Sequence, residues 1–147
     1  MMGEGDVKRL IEAARAARKN AYAPYSRFAV GAAVQLTNGD VIVGANFENA
    51  SYGLSLCAET VALAAANAQG RIIDVVAIAV VGGDSAPITP CGRCRQILAE
   101  AEQVAGRRIA VYCAASSGDS VVEHSIAELL PFSFGPNDLG LDPYSKS

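Results

Sequence analysis

The stretch DVVAIAVVG, residues 74–82, is a nearly continuous apolar run of strand length, rich in valine. A strand with one solvated face alternates apolar and polar residues, whereas a strand covered on both faces is apolar throughout. We therefore predict that residues 74–82 form the central strand of a sheet that has helices on both sides.

The segments around this strand alternate between helical and strand patterns. A hairpin is predicted from residues 27–36 and 41–47, joined by the turn TNGD, and a further strand from residues 107–114. SVVEHSI, residues 120–126, is a weaker fifth candidate strand. Amphipathic or capped helices are predicted at about 7–17, 57–69, 89–103 and 125–134, the second ending at Gly70 and the third starting with Thr89 and Pro90.

This order of elements predicts the α/β class, as a three-layer α/β/α sandwich with a central mixed β-sheet. The 147 residues suit a single domain over 1–147, and we expect the C-terminal tail, about 135–147, to reach over or beyond it.

Composition narrows the class of protein. The chain is 51% hydrophobic, but its apolar runs are too short to span a bilayer, and its start lacks the apolar centre of a secretion signal. The net charge of −3 disfavours an extended nucleic-acid footprint, which needs a basic face. We expect a cytoplasmic protein that has neither a membrane nor a nucleic acid as its partner.

Four cysteines stand out: Cys57, Cys91, Cys94 and Cys113. Two disulfides would account for the even number, but a cytoplasmic chain with a large core makes them a poor interpretation. The Cys-x-x-Cys spacing of Cys91 and Cys94 is more typical of metal binding or redox chemistry.

Two of the predicted helices begin with cysteine, one at Cys57-Ala58-Glu59 and the other at Pro90-Cys91-Gly92-Arg93-Cys94. Three residues make nearly one helical turn, so both sulfurs of Cys-x-x-Cys can point to one centre, and the helix N-terminus favours thiolate. If the two helix starts face each other, Cys57 supplies a third sulfur. Zinc with three protein ligands keeps an open position, which is the catalytic arrangement.

Glu59 completes this predicted site. Zinc lowers the pKa of water in its open position, so hydroxide becomes available near neutral pH. A carboxyl group two residues after Cys57 can point into the same cleft without binding the metal and can move protons there.

Simpler interpretations compete with this one. The Cys-x-x-Cys pair could be redox-active, and Cys113 or His124 could complete a structural zinc site, although neither has ligand spacing. Cys113 alone is best explained as a small buried hydrophobe, and a lone glutamate at a helix start is usually a surface charge that complements the helix dipole.

Four blocks of sequence, in this order, resemble the short, homotetrameric cytidine deaminases of the cytidine and deoxycytidylate deaminase superfamily. The resemblance runs from the first helix to about residue 139. Its blocks are AYAPYSRFAVGAAV (21–34), GANFENASYGLSLCAE (44–59), TPCGRCRQ (89–96) and LLPFSFGPNDL (129–139).

The resemblance implies a reaction and a ligand set. It implies one Zn²⁺ per subunit held by Cys57, Cys91 and Cys94, with attack of hydroxide on C4 of cytosine. Glu59 would protonate N3 and pass a proton to the leaving ammonia.

The resemblance also implies substrate contacts and an assembly. Asn46 and Glu48 would bind the ribose, chiefly its 3′-hydroxyl, Phe28 would pack on the base, and backbone groups of Ala58 would read the base. In a homotetramer with shared sites, Ala50 and Tyr52 would reach a neighbouring subunit's site and Phe134 would stack on a base across the interface. Without the resemblance, Asn46 and Glu48 would equally suit a polar turn, and the two phenylalanines a core or an interface.

One position departs from the family pattern, which commonly has arginine after Cys-Ala-Glu, whereas this chain has Thr60. Three thiolates and one Zn²⁺ carry a net charge of −1, which raises the pKa of the metal's water unless it is offset. We expect Arg95 and the two helix N-termini to provide the charge compensation.

The leading prediction is a cytidine and 2′-deoxycytidine deaminase of pyrimidine salvage. The alternatives are a deaminase of a different or modified nucleoside, such as the blasticidin type, to which an uncharged residue after Cys-Ala-Glu points, and a zinc-binding module that has lost catalysis. Retention of Glu59 opposes the last. Polynucleotide editing is disfavoured by the acidic balance of charge.

Overall fold

The computed structural model describes residues 2–143, and its centre is a five-stranded mixed sheet. The strand order is β2-β1-β3-β4-β5. β3 pairs in parallel with β4, and the other neighbours are antiparallel. The bounds are β1 Gly31–Leu36, β2 Val41–Ala45, β3 Val75–Val81, β4 Ala110–Ala114 and β5 Val121–His124. The weak fifth strand is therefore confirmed, and the run at 74–82 is the central strand.

In the described residues, four α-helices accompany the sheet: α1 Glu4–Arg18, α2 Ala58–Ala68, α3 Gly92–Ala105 and α4 Ile126–Leu129. Short 3₁₀ helices span Tyr52–Leu54, Ile72–Asp74 and Pro136–Leu139. Within residues 2–143, none of the helices has the length and apolar character needed to cross a membrane.

The two faces of β3 belong to two separate apolar clusters. Ala77, Ala79 and Val81 pack with Leu10 and Ala14 of α1. Alternate residues of the same strand pack on the other side against α2 and α3, and that cluster includes Ile78, Val80, Ala62 and Leu98. Because side chains alternate across a strand, this division confirms the predicted three-layer arrangement of helix, sheet and helix.

A glycine on β2 lets α2 lie close to the sheet. A Cβ atom at Gly44 would lie 2.5 Å from the carbonyl oxygen of Ala58 and 2.6 Å from the amide nitrogen of Ala62. Both atoms are backbone and cannot move aside without displacing the helix. Gly44 therefore fixes how near the start of α2, and with it Cys57, comes to the strands.

β1 begins four residues later than the predicted strand at 27–36. The Asn46 side chain explains this difference, because its Oδ1 accepts from the Val30 N–H at 2.9 Å and its Nδ2 donates to the Phe28 carbonyl at 2.8 Å. The Asn46 side chain thus replaces a strand partner for the Phe28 carbonyl and the Val30 N–H, while the Val30 carbonyl still accepts from the Asn46 backbone N–H at 3.2 Å.

The third helix also begins later than predicted. Cys91 is its N-cap and Gly92 its first residue, so Thr89 and Pro90 belong to the preceding loop. The second helix agrees closely with its prediction, and Gly70 follows it in the left-handed conformation with φ of 72°.

The tail prediction falls partly on residues 144–147, which lie outside the described residues. Of the described part, Gly135 and Pro136 are buried. The backbone before them is attached to α3, because the Gln96 side-chain amide donates to the Phe134 carbonyl at 2.8 Å. That the tail reaches over or beyond the domain stays a prediction.

Candidate metal centre

Three thiols converge where α2 and α3 begin. Cys57 is the N-cap of α2, Cys91 is the N-cap of α3, and Cys94 lies in the first turn of α3. Their Sγ atoms all lie within 4.8 Å of one another, and Cys57 and Cys91 are 3.6 Å apart. The ligand set that the family resemblance implies requires these two helix starts to meet, and the structure places them together.

The spacing of the sulfurs fits zinc. Zn–S bonds of about 2.3 Å at tetrahedral angles place two sulfur ligands about 3.8 Å apart. None of these thiols is in a disulfide. A set of three sulfur ligands leaves one tetrahedral position for a non-protein ligand, which distinguishes a catalytic zinc site from a closed structural one.

The thiols perturb one another's ionisation. Contact with Cys94, and then with Cys91 and the charge of Arg93, lowers the pKa of Cys57 to about 6, against the opposing effect of burial. The same contact with Cys57, together with burial, raises the pKa of Cys94 above its ordinary value. Ionisation of Cys57 thus opposes that of Cys94, and a cation between their sulfurs would favour the thiolate form of both.

Cys113 takes no part in the cluster. It is fully buried on β4 within the apolar core beside α2 and α3. Burial raises the pKa of this thiol to about 11, so it behaves as the small hydrophobe that the sequence indicated.

Glu59 is buried beside the thiols. It is the second residue of α2 and only 4% exposed, although a carboxylate in the first turn of a helix is ordinarily a surface group. Burial raises its pKa. The carboxyl group faces a cavity rather than bulk water, which suits it for proton transfer.

That cavity has a volume of about 310 Å³ and adjoins the thiols. It brings together seven residues that the sequence analysis assigned to one site: Phe28, Asn46, Glu48, Cys57, Ala58, Glu59 and Cys91. Other wall residues were not predicted from the sequence, namely Ser26, Val30, Ser55, Leu56, Ile88 and Thr89. Ile88 and Thr89 precede the Cys-x-x-Cys pair, so their place in the chain could have indicated them.

Glu48 is fixed by the turn before β1. Its Oε1 accepts from the Tyr25 and Ser26 amides at 3.0 and 3.1 Å, and its Oε2 accepts from the Ser26 hydroxyl. The hydrogen bonds from Ser26 and then Tyr25 lower the pKa of Glu48, so the carboxylate is ionised. A carboxylate has about four acceptor sites, so one remains for a ligand.

Three polar side chains around the thiols differ in their hydrogen-bond partners, and only that of Thr60 contacts a sulfur. The Thr60 hydroxyl lies 3.5 Å from Cys94 Sγ. Arg93 donates to the Ser55 carbonyl at 3.1 Å. Arg95 donates to the carbonyl oxygens of Pro90 and Leu129 at 2.7 and 2.8 Å and to Thr89 Oγ1 at 2.8 Å, so its hydrogen bonds join the start of α3 to the end of α4.

The three residues expected to act across subunits lie outside the cavity of their own chain. Ala50 is exposed, Tyr52 is 74% exposed and Phe134 is 59% exposed. Tyr52 packs against Tyr25, with ring centroids 5.7 Å apart.

A wider depression of about 1030 Å³ lies at the other end of the sheet, near Val76, Tyr112 and His124. We assign the site to the smaller cavity because that one contains the sulfurs and the buried carboxyl group.

Convergent thiols, a buried carboxyl group and an adjoining cavity define the class of zinc-dependent hydrolytic sites. Residues 5–112 match the model of a protein family described as the cytidine and deoxycytidylate deaminase zinc-binding region. The chain belongs to this cytidine and deoxycytidylate deaminase family, and its cluster of three cysteines is the part able to bind one zinc ion.

Individual cytidine deaminases are similar to this chain in both sequence and structure. The chain is 49% identical over 134 residues to a cytidine deaminase of Halalkalibacterium halodurans, covering 91% of this chain and 98% of that protein. A crystal structure of cytidine deaminase from Burkholderia pseudomallei superimposes with a TM-score of 0.80 at 48% identity, covering 90% of this chain and all of that one. The structure from Mycobacterium leprae gives a TM-score of 0.66 at 43% identity, covering 84% of this chain and 96% of that one.

Proposed function

We propose that this protein catalyses the zinc-dependent hydrolytic deamination of cytidine and 2′-deoxycytidine to uridine and 2′-deoxyuridine, with release of ammonia. The reaction would serve pyrimidine salvage in the cytoplasm. The observation that carries the proposal is the meeting of three thiols and a buried glutamate beside a cavity that Asn46 and Glu48 also line.

Cys57, Cys91 and Cys94 would hold the ion, and Glu59 would move the protons. Zinc, when bound, supplies the Lewis acidity that makes hydroxide available from water near neutral pH. In the balanced reaction a C4–O bond forms from water and the C4–N bond breaks. Glu59 would take one proton from water and donate it to N3, and would then take the remaining proton from the new C4 hydroxyl and deliver it to the departing amino group. Its burial beside the thiols keeps that carboxyl group on the reacting atoms and away from bulk water.

Asn46 and Glu48 would orient the sugar. Both side chains are already held by backbone groups, so a hydroxyl group would meet acceptors and donors in fixed positions. An ionised Glu48 would accept a hydrogen bond from the 3′-hydroxyl and repel a phosphate there, which favours a nucleoside over a polynucleotide. Phe28 would pack on the base, and backbone groups of Ala58 would read it.

The active assembly would be a homotetramer with shared sites. This proposal is supported by the exposed aromatic residues Tyr52 and Phe134, because exposed apolar surface marks interaction sites. Ala50 and Tyr52 would reach a neighbouring site, and Phe134 would stack across the interface. We propose no nucleic-acid or membrane partner.

Arg95 would act on the charge of the site through space, since its hydrogen bonds go to oxygen atoms. The helix N-termini that carry Cys57 and Cys91 would contribute beside it.

Ammonia release and the loss of ultraviolet absorbance test the proposal, with cytidine, deoxycytidine, adenosine, guanosine and blasticidin S assayed in parallel. We expect turnover of cytidine and deoxycytidine. Turnover of another substrate alone would indicate a deaminase of a different or modified nucleoside, and a zinc-loaded protein that turns over none of them would indicate a lapsed binding module.

The position of Thr60 bears on the first of these alternatives. Thr60 lies in the groove between α2 and α3 and contacts a sulfur, whereas the cavity is lined by other residues. A difference at this position therefore bears on the metal more directly than on the choice of base.

A further inference from the structure

Thr60 and Cys94 form a contact between the two helices that carry the thiols. Each is the third residue of its helix, in α2 and α3 respectively, and Thr60 Oγ1 lies 3.5 Å from Cys94 Sγ. Thr60 is half-buried in a groove whose other walls are largely apolar, including Leu63, Ile97 and Val104. A hydroxyl group in such surroundings is costly to leave unpaired, and the sulfur is its hydrogen-bond partner.

The three sulfurs differ in their access to water. Cys91 is exposed and Cys57 is half-buried, so water can solvate their negative charge. Cys94 is 0% exposed. A thiolate that is closed off from water needs a donor from the protein, and the Thr60 hydroxyl is placed to provide it.

The cations near the cluster do not replace this hydrogen bond. Arg93 donates to the Ser55 carbonyl, and the three guanidinium nitrogens of Arg95 donate to oxygen atoms. Their charges act on the cluster from a distance, whereas the Thr60 hydroxyl is in contact with a ligand atom.

We propose that Thr60 is a positioning residue for the metal: its hydroxyl donates a hydrogen bond to the Cys94 sulfur and so slows the loss of zinc. This inference rests on the zinc site of the proposed function. In this proposal the neutral side chain of Thr60 stabilises Cys94, the one ligand of the three that water does not reach.

Two pairs of side chains test the proposal, because each pair differs mainly in one hydroxyl group. Threonine and valine have the same shape, so the wild type is compared with Thr60→Val. Serine and alanine both lack the methyl group, so Thr60→Ser is compared with Thr60→Ala. The zinc-loaded proteins are mixed with excess EDTA, and the zinc that remains bound is measured over time by mass spectrometry of the metal.

We expect Thr60→Val to lose zinc about tenfold faster than the wild type, and Thr60→Ala to lose it faster than Thr60→Ser by a similar factor. The thermal unfolding temperatures of the metal-free proteins should differ little within each pair, because a hydrogen bond to a neutral thiol is weak whereas one to a thiolate is strong. The second pair decides the matter if Thr60→Val fails to fold.

Equal rates of zinc loss within both pairs would overturn the inference while leaving the proposed function intact. A difference within each pair that appears equally in the unfolding of the metal-free proteins would also overturn it, because such a result would show a general effect of the side chain on packing. A reconstituted wild-type protein that holds no zinc would overturn the inference and the proposed function together.

Discussion

At the scale of single residues, the site depends on ionisable groups that are buried, where water does not screen their charge. Glu59 has the residue type and helix position of an ordinary surface charge, yet it is buried and faces the cavity. Folding this chain therefore includes the cost of burying a carboxyl group, which a purely structural role would not require.

Replacing Glu59 by glutamine tests its proton-transfer role. Glutamine keeps the shape but cannot exchange a proton, so we expect kcat to fall by roughly 10²–10⁴-fold while zinc content stays unchanged. Steady-state kinetics and metal analysis check both parts. Activity close to that of the wild type would remove Glu59 from the reaction.

Cys91→Ala tests the ligand set, with Cys113→Ala as its matched control. Removing an exposed ligand should abolish zinc binding, whereas removing the buried thiol of β4 should leave the zinc content unchanged and lower stability by about 1 kcal/mol through lost packing. Metal analysis separates the two variants. In excess EDTA we expect Cys91→Ala and the wild type to unfold at similar temperatures, since the exposed side chain contributes little packing.

At the scale of elements, the walls of the cavity are held by hydrogen bonds between loops. The Ser26 hydroxyl donates to Glu48, and it also accepts from the Phe28 N–H at 3.1 Å. One side chain thus links the residue that we propose for the sugar to the residue that we propose for the base.

Ser26→Ala should therefore weaken substrate binding more than it slows chemistry. We expect KM to rise about tenfold, which corresponds to the loss of one hydrogen bond to a charged group, with a smaller change in kcat. Ser117→Ala, at an exposed serine between β4 and β5, is the control and should leave both constants unchanged. A fall in kcat with KM unchanged would contradict this role.

Gly44→Ala tests the approach of α2 to the sheet. The added Cβ would meet backbone atoms, so we expect the free energy of unfolding to fall by about 1–3 kcal/mol. Gly5→Ala in α1 is the control, because its Cβ would make only an ordinary contact at 3.7 Å with the end of Arg9. Chemical denaturation measures both, and equal stabilities would contradict the close packing.

Much of the fold could be read from local patterns. The central strand, the hairpin and the first two helices follow from apolar periodicity and turn residues. The start of β1 could not be predicted in this way, because the side chain of Asn46, 16 residues further along the chain, takes the hydrogen bond of the Val30 N–H. The start of α3 was placed too early because Thr89 and Pro90 have the residue types of a cap, while the structure uses Cys91.

The metal site was predicted more completely than its surroundings. Cysteines at two helix starts are visible in the sequence, and the structure brings them together. The contact of Thr60 with Cys94 was not predicted, because it depends on how two helices separated by a strand are turned toward each other.

At the scale of the whole molecule, one region of the surface is unusually aromatic. Tyr22 packs against Phe47 with ring centroids 6.0 Å apart, and Tyr25 packs against Tyr52 nearby. All four are about half exposed or more. Apolar surface of this kind favours association, in agreement with the proposed shared sites.

Light scattering should give a mass of four times the 15.2 kDa of one chain. A sharper test mixes Glu59→Gln with Phe134→Ala, after joint unfolding and reassembly with zinc. If Phe134 serves a neighbouring site, mixed assemblies contain sites with both residues intact, and the mixture should be more active than the two variants measured separately. Activity equal to that of the unmixed variants would place Phe134 outside its neighbour's site.

The distribution of the thiols over two helices has a consequence for the life of the protein in the cell. Cys57 and Cys91 are 34 residues apart, with β3 between them, so a bound ion is a cross-link between two helices of the same layer. An ion that binds only the folded chain stabilises it by about 1.4 kcal/mol for each tenfold rise in free metal above the dissociation constant. We expect the abundance of the protein, and not only its turnover, to follow the zinc supply.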